Sequence, residues 1–403
     1  MLSTAQIQYN PAISREEHDV LAWLCSIKNF NGSQGHRFVR GLTSIMDIFS
    51  LSAERLSAML TPAACAALLK ARQTVSVAKI TEKIKAAGSA FISYFDDTYP
   101  EHLRAIPDAP LGIFVRGSLP SDAVPSVAVI GARNCSEYGM HVASELGSYL
   151  GQSGIQVISG MAYGIDGISQ SAALSSGGTS YAVLGSGVDV CYPPSNKALY
   201  SSLCQKGGII STYPMGEPAI AANFPPRNRI VSGLADAIVV VEARQKSGTI
   251  ITVDMALEQG REVYAVPGRI TDRLSDGCNG LIGQGANVYL SPEIFVTELM
   301  EYLNNRPDIP HTAAPSHGTK SEIARLHRSY EGSDHIPAGL DTDQALIYSN
   351  LSLTPTSVDD ICSHINSISD TEYTYSQVSM LLMQLMLEGH VRQVSQGCFT
   401  KLL

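Results

Sequence analysis

None of the eight cysteines forms a Cys-x-x-Cys pair with another, which argues against a zinc ribbon. A chain of 403 residues buries enough apolar surface to need no disulfide framework. It contains no Gly-x-x-x-x-Gly-Lys-Ser/Thr, so a P-loop ATPase is not indicated. The dinucleotide fingerprint Gly-x-Gly-x-x-Gly is missing at both places that could carry it. One strand runs into GARNCSEYG, and GSGVDV at Gly185 to Val190 lacks the third glycine needed for close helix packing. Bound NAD is therefore disfavoured and no cofactor is expected. No stretch approaches the roughly 18 apolar residues of a membrane helix. The opening MLSTAQIQYNPAISREEHDV lacks the basic end and apolar run of a secretion signal. A cytoplasmic protein with no membrane partner is the expectation. Charge is sparse as well: 16% of residues are charged, and 37 acids outnumber 28 bases for a net charge of −9. Blanket basicity cannot hold nucleic acid here, so any such site must be a local patch.

What is present is a folded chain, 44% hydrophobic, long enough for two or three domains. Residues 1–87 read as a helical domain. LAWLCSI, FVRGL, IMDIFSL, LSAML and AACAALLKARQ carry apolar residues at three-to-four spacing. Arg15 to Ala87 holds ten basic and six acidic residues, which makes it locally basic. Residues 88–303 read as α/β. After a connecting stretch with strand-like ends come SVAVIGAR, IQVISGMA, YAVLGSGV, GGIIST, AIVVVEA, EVYAVPG and ANVYL, with helix-length segments between them. Short runs apolar on both faces, alternating with helices, predict a doubly wound parallel sheet covered on each side. Ligands of such sheets sit beyond the carboxyl ends of the strands.

Residues 304–337 lose periodicity and collect Pro, Ser, His and Gly, as a linker does. Residues 338–403 predict three helices and a short β-hairpin, a winged helix. With two basic and seven acidic residues it is poorly suited to duplex DNA, and a protein contact or structural role is preferred.

The loops after the strands hold the candidate site. Gly131-Ala132-Arg133 turns into a helix whose free N–H groups suit a phosphate. Arg133 is either a surface residue beside an ordinary turn or a forked phosphate ligand, and its place at a strand's carboxyl end favours the second. Ser159 and Gly160 could expose backbone amides. Asp166 has no second carboxylate or nucleophile beside it in sequence, so capping or turn formation is its expected role. GSGVDVCYPPSNKALY brings Asn196 and Lys197 just past a glycine turn. In NFPPRNRIVSGL, Arg227, Asn228 and Arg229 offer cationic and hydrogen-bonding groups at a Pro-started helix, and EARQKSG adds Lys246. From Ser195 to Lys246, six basic residues face three acidic ones in an otherwise acidic chain. Cations with glycine amides and no acid–base pair suit a polyphosphate track such as single-stranded nucleic acid. Tyr192, Tyr200 and Phe224 are candidates for base stacking, and equally for core or rim packing.

Taken together, YPEHL, PLGIFVRG, VIGARNCSEYG, SGMAYGIDGISQSAAL, VLGSGVDVCYPPSN, NFPPRNRIVSGLADAIVVVEARQKSGTIIT, EQGREVYAVPG and NGLIGQGANVY resemble the DNA-processing protein A family (DprA, also called Smf). They cover about Tyr99 to Leu290 in the family's order. The resemblance implies an extended Rossmann-like sheet flanked by an N-terminal helical domain, similar to a sterile alpha motif, and a C-terminal winged helix. It implies a non-catalytic homodimer that binds and protects single-stranded DNA and helps load RecA recombinase in transformation and recombination. Arg133 and Lys197 match the family's DNA-contacting arginine and lysine, and Ser159, Gly160, Arg227, Asn228, Arg229 and Lys246 fall in its other pocket motifs. The competing expectation is a nucleotide phosphoribohydrolase of the same superfamily. Ser247 to Thr252 is the nearest match to that enzyme's loop, with threonine at the glutamate position. Glycosidic cleavage needs a carboxylate there.

Overall fold

The structure, a computed structural model, describes residues 13–305, 337, 340–351, 356–369, 371–395 and 397–401. Five helices come first: α1 (Arg15–Cys25), α2 (Ser33–Arg40), α3 (Ala53–Met59), α4 (Pro62–Thr74) and α5 (Val77–Ala86). Their starts follow from local chemistry. Ser14 and Glu17 form a reciprocal capping box, and the Ser52 and Thr61 hydroxyls accept from the first turns of α3 and α4. Trp23 is fully buried and its indole N–H donates to the Val75 carbonyl at 2.9 Å. These helices do not close over a core of their own. Trp23, Leu24 and Phe30 share one apolar cluster with Phe91, Phe114, Leu184 and Ile209 of the sheet. Asn31 fastens the two, with Nδ2 donating to the Gly112 and Thr212 carbonyls at 2.8 Å each.

The sheet has nine strands: β1 (Ala90–Ser93), β2 (Gly112–Gly117), β3 (Ser126–Ile130), β4 (Gln156–Ser159), β5 (Ser180–Leu184), β6 (Gly207–Ser211), β7 (Ala237–Val240), β8 (Glu262–Ala265) and β9 (Asn287–Val288). Their order is β1-β2-β6-β5-β4-β3-β7-β8-β9. Strands β3 to β9 pair in parallel, while β1 and β2 extend the β6 edge antiparallel. Every residue of β3, β4, β5 and β7 is buried, as helices on both faces require. Crossover helices α7 (Glu137–Gln152), α8 (Ile165–Ser175), α9 (Lys197–Lys206), α10 (Phe224–Gly233), α11 (Gly248–Glu258) and α12 (Asp276–Gly283) link the strands, α6 (Glu101–Arg104) sits between β1 and β2, and α13 (Pro292–Asn304) follows β9. Strand order reverses between β3 and β7. A doubly wound sheet opens a crevice at this position.

At the opposite end of the strands, His102 of α6 is buried between two acids. Its ring meets Asp122 Oδ1 through Nδ1 at 2.8 Å and Asp236 Oδ1 through Nε2 at 2.7 Å. Burial alone would lower its pKa, but the two carboxylate hydrogen bonds outweigh this and raise it to about 9. The charged ring therefore ties the segment between β1 and β2 to the start of β7. A His pKa raised on folding contributes stability fully below the unfolded value near 6.5, and that stability is lost as pH climbs through 9. We expect chemical denaturation to show a loss on the order of 3 kcal/mol between those limits. The His102→Gln variant should show a flatter profile. An equally steep profile in the variant would assign the loss to other groups.

The tail forms a second unit. It contains α14 (Thr342–Asn350), α15 (Val358–Ile368), α16 (Tyr375–Leu387), and a small sheet of β10 (Thr356–Ser357), β11 (Val391–Ser395) and β12 (Cys398–Lys401) in the order β10-β12-β11. Three helices and a hairpin around Ile347, Ile365, Leu382 and Phe399 make the expected winged helix, with the short strand β10 added. Helix α16 carries no charged residue, and Met380, Met383 and Leu387 stand 55%, 55% and 85% exposed on it. A charge-free helix in the recognition position offers duplex phosphates no cation. Of the segment read as a linker, only Asn304, Asn305 and Pro337 fall within the described residues. Among the described residues, no helix is long and apolar enough to cross a membrane.

Candidate nucleic-acid interface

The carboxyl ends of β3, β4 and β5 meet the starts of α10 and α11. Here the turn after β4 fixes the site. Met161 adopts φ +52° and Gly164 φ +71°, two positive-φ residues within four positions. Asn196 holds this turn, donating from Nδ2 to the Met161 and Ala162 carbonyls at 3.0 and 3.2 Å. A Cβ on Gly164 would stand 2.3 Å from the Ala132 carbonyl oxygen and 2.6 Å from that of Arg133. The glycine thus lets the β4 turn lie directly under the loop that carries Arg133.

Arg227, in the first turn of α10, points into the protein and is only 4% exposed. Pro225 and Pro226 start that helix, where a missing N–H costs nothing. The Arg227 guanidinium donates from Nη1 to the carbonyls of Gly160 (2.6 Å) and Val183 (2.5 Å), and from Nε to Asn228 Oδ1 (3.1 Å). Asp166 supplies the countercharge and accepts the Gly160 N–H at 3.1 Å. Burial lowers the Arg227 pKa to about 10, with Asp166 opposing and Arg133 adding to the fall. Burial pushes Asp166 upward against the pull of Arg227. An alanine at 160 would put its methyl 2.5 Å from Arg227 Nη1 and 2.7 Å from Asp166 Oδ2, so only glycine fits.

Arg133 differs in every respect. It is exposed, and its guanidinium carbon lies 5.1 Å from the Phe224 ring centroid, with that of Arg227 5.6 Å from the same ring. Among the described residues it has no ion pair. With Arg227 balanced by Asp166, Arg133 carries the uncompensated charge of this recess. Tyr192 and Tyr163, 41% and 48% exposed, line it from the other side, and the Tyr192 and Phe224 rings lie 5.9 Å apart at 35°. A second opening of about 420 Å³ adjoins it, between the loop after β3 and the start of α11, lined by Arg133, Asp166, Asn228, Ser247 and Thr249.

The expected site residues divide accordingly. Arg133, Gly160 and Arg227 converge on the recess, and Asn228 reaches the neighbouring opening, where Nδ2 donates to Thr252 Oγ1 at 2.8 Å. Lys197, at the start of α9, and Lys246, just before α11, are exposed, and neither lines either cavity. Asn196 shapes the turn through its side chain. Ser159 is fully buried, its hydroxyl donating to the Val129 carbonyl at 2.7 Å, and the Gly160 amide is taken by Asp166. Neither amide-exposing role fits this packing. Arg229 points away and pairs with Glu258 at 3.1 Å and Asp108 at 3.4 Å. Residues two apart on a helix lie roughly 200° around its axis, so Arg227 and Arg229 cannot serve one spot. Tyr200 is buried with its hydroxyl donating to the Val188 carbonyl at 2.5 Å, which removes it as a stacking face. The sequence did not single out Tyr163, and it marked Ser247 only as the first residue of the loop compared with the phosphoribohydrolases. Their position after strands β4 and β7 was the available signal. Among the described residues no cluster of His, Cys, Asp or Glu could hold a metal.

An extended Rossmann-like sheet with a cation-bearing recess at its carboxyl edge, followed by a winged helix, defines the class. The model of the DNA recombination-mediator protein A family matches residues 90–300, and that of the DprA winged helix domain matches residues 331–397. The DNA processing protein DprA of Streptococcus pneumoniae is 41% identical over 206 residues, 51% of this chain and 73% of that one. Protein Smf of Escherichia coli is also 41% identical, over 216 residues, which cover 53% of this chain and 58% of that one. The X-ray structure of the Streptococcus pneumoniae DprA matches with a TM-score of 0.61 and 31% identity, over 72% of this chain and 99% of that one. The chain belongs to the DNA-processing protein A family, DprA or Smf.

Proposed function

We propose that this protein holds single-stranded DNA at the carboxyl edge of its sheet without altering it. The observation that carries this is the contrast between two arginines on one ring. Arg227 is buried and balanced by Asp166, whereas Arg133 stands exposed on Phe224 and makes no ion pair among the described residues. A planar guanidinium backed by an aromatic face is suited to gripping two oxygens of a phosphodiester. The exposed rings of Tyr192 and Tyr163 are placed to stack on unpaired bases. Lys197 and Lys246 extend the positive rim. Protection of the strand, delivery to a RecA-type recombinase, a homodimeric state and a cytoplasmic location complete the proposal and rest on membership of the family.

A non-catalytic role is supported by the local chemistry. Thr252 occupies the place where the phosphoribohydrolase loop has its glutamate, and its hydroxyl donates to the Gly248 carbonyl at 3.2 Å. Asp166 is engaged with Gly160 and Arg227. Titration of the pure protein with labelled single- and double-stranded oligonucleotides of equal length tests the proposal. We expect tighter binding to the single strand, with affinity falling as salt rises. Equal affinity for duplex, or release of free base from nucleoside monophosphates above a heat-inactivated control, would overturn it.

A further inference from the structure

We propose that the exposed face of α16 in the winged helix is the docking site for a cationic amphipathic helix of another protein. Met380, Met383 and Leu387 follow one another at spacings of three and four, within about 60° of each other around the helix axis. The opposite face, Val378, Leu381, Leu382 and Leu385, is already buried in the core of this unit. Serines and glutamines lie between the two faces, so no side chain of α16 is charged. A helix apolar on both sides is ordinarily enclosed, yet this one leaves its second side in water. Methionines on flexible stems suit a surface that moulds itself to a partner helix.

Charge selects the occupant. In a helix-turn-helix the second helix enters the groove of the duplex while the first crosses its backbone. Here the first, α15, opens on Asp359 and Asp360, both exposed. Glu372 stands two residues before the Thr374 N-cap of α16 and Glu388 directly after Leu387, and both are exposed as well. Among the described residues of the winged helix Arg392, on β11, is the one exposed base. Lys401 is buried, with Nζ 4.4 Å from the Tyr348 ring centroid. A duplex would bring its phosphates onto these acids. A second copy of the same face would bring acid onto acid. A helix with apolar residues at three-and-four spacing, flanked by lysine or arginine, matches both the stripe and its rim.

Calorimetric titration of the full chain with three synthetic peptides of about five helical turns tests this. The first carries leucine on one face and lysine on the other, the second scrambles those residues, and the third has glutamate for every lysine. The first should bind saturably and at least about tenfold more tightly than the scrambled peptide, and the third should not bind detectably. Met380→Glu combined with Met383→Glu removes the stripe and adds negative charge, and should reduce the first peptide to the scrambled level. Both side chains are 55% exposed, so the thermal midpoint should match the parent's. If the acidity of the protein alone held the peptide, this variant would bind it as tightly as the parent or more tightly, and the proposal would be overturned. Glu372→Lys leaves the stripe intact and lies outside the helix. It should weaken the first peptide severalfold at an unchanged midpoint, and equal binding would also overturn the proposal. So would parent binding no tighter than to the scrambled peptide, duplex binding lost in the methionine variant, or self-association of the parent lost there, the last two giving the face to DNA or to a second copy. The single-strand titration can succeed or fail without bearing on any of these outcomes.

Discussion

Replacing Arg133 with alanine is expected to weaken single-stranded DNA binding by roughly ten- to a hundredfold, the value of one charge-assisted bidentate contact of about 1.5–3 kcal/mol. The side chain is exposed and lies over Phe224, so its removal takes nothing from the core and stability should be unchanged. The salt dependence should also flatten, the logarithmic slope falling by about 0.7 for each phosphate of a single strand that is no longer neutralised. Lys197→Ala should show a smaller loss of the same kind, because an ammonium on a flexible stem is a point charge without a fork. Arg229→Ala provides the control. It deletes the same formal charge, but Arg229 points away from the recess and is held by Glu258 and Asp108, so the affinity should move less than twofold. Fluorescence anisotropy across a salt series measures all three. Equal losses in the Arg133 and Arg229 variants would mean that general charge, not this contact, holds the strand.

That control marks where the sequence ceased to be legible. The sheet could be foreseen because its strands are short valine- and isoleucine-rich runs, and burial on both faces leaves no other use for them. Arg133 could be placed because the loop after a strand in such a sheet has one destination. The antiparallel pairing of β1 and β2 at the β6 edge left no periodic signal. Nor did the sharing of core between Trp23 and Phe114, since both are contacts between distant segments. Within the motif Arg227-Asn228-Arg229 the residue types were informative and their directions were not. One arginine turns inward onto Gly160 and Val183 while the other turns out to Glu258, a difference of helical phase. Ser159 misled for a similar reason: as the last residue of β4 its side chain points across the ladder to Val129.

Asp166→Ala is expected to destabilise the fold by about 3–5 kcal/mol, the cost of leaving a buried partner charge uncompensated. The two partners shift in opposite directions, the acid upward and the arginine down to about 10, each away from its charged form. Burial opposes the charged form of each partner, and the contribution the geometry shows is one of shape. Arg227 joins the ends of β4 and β5 through the Gly160 and Val183 carbonyls and gives Phe224 its inner neighbour. From this follows a sharper expectation. Asp166→Ala combined with Arg227→Met should be less destabilised than Asp166→Ala alone, because no charge is left stranded, and single-strand affinity should still fall as Phe224 and Arg133 lose their footing. Denaturant unfolding of the single and double variants, with the oligonucleotide titration alongside, measures both terms. A catalytic carboxylate predicts the reverse: Asp166→Asn would fold as well as the parent and lose only a hydrolytic activity. The geometry opposes that outcome, because a buried acid that accepts a backbone amide and faces the charge of a buried guanidinium is not disposed to exchange a proton with a substrate.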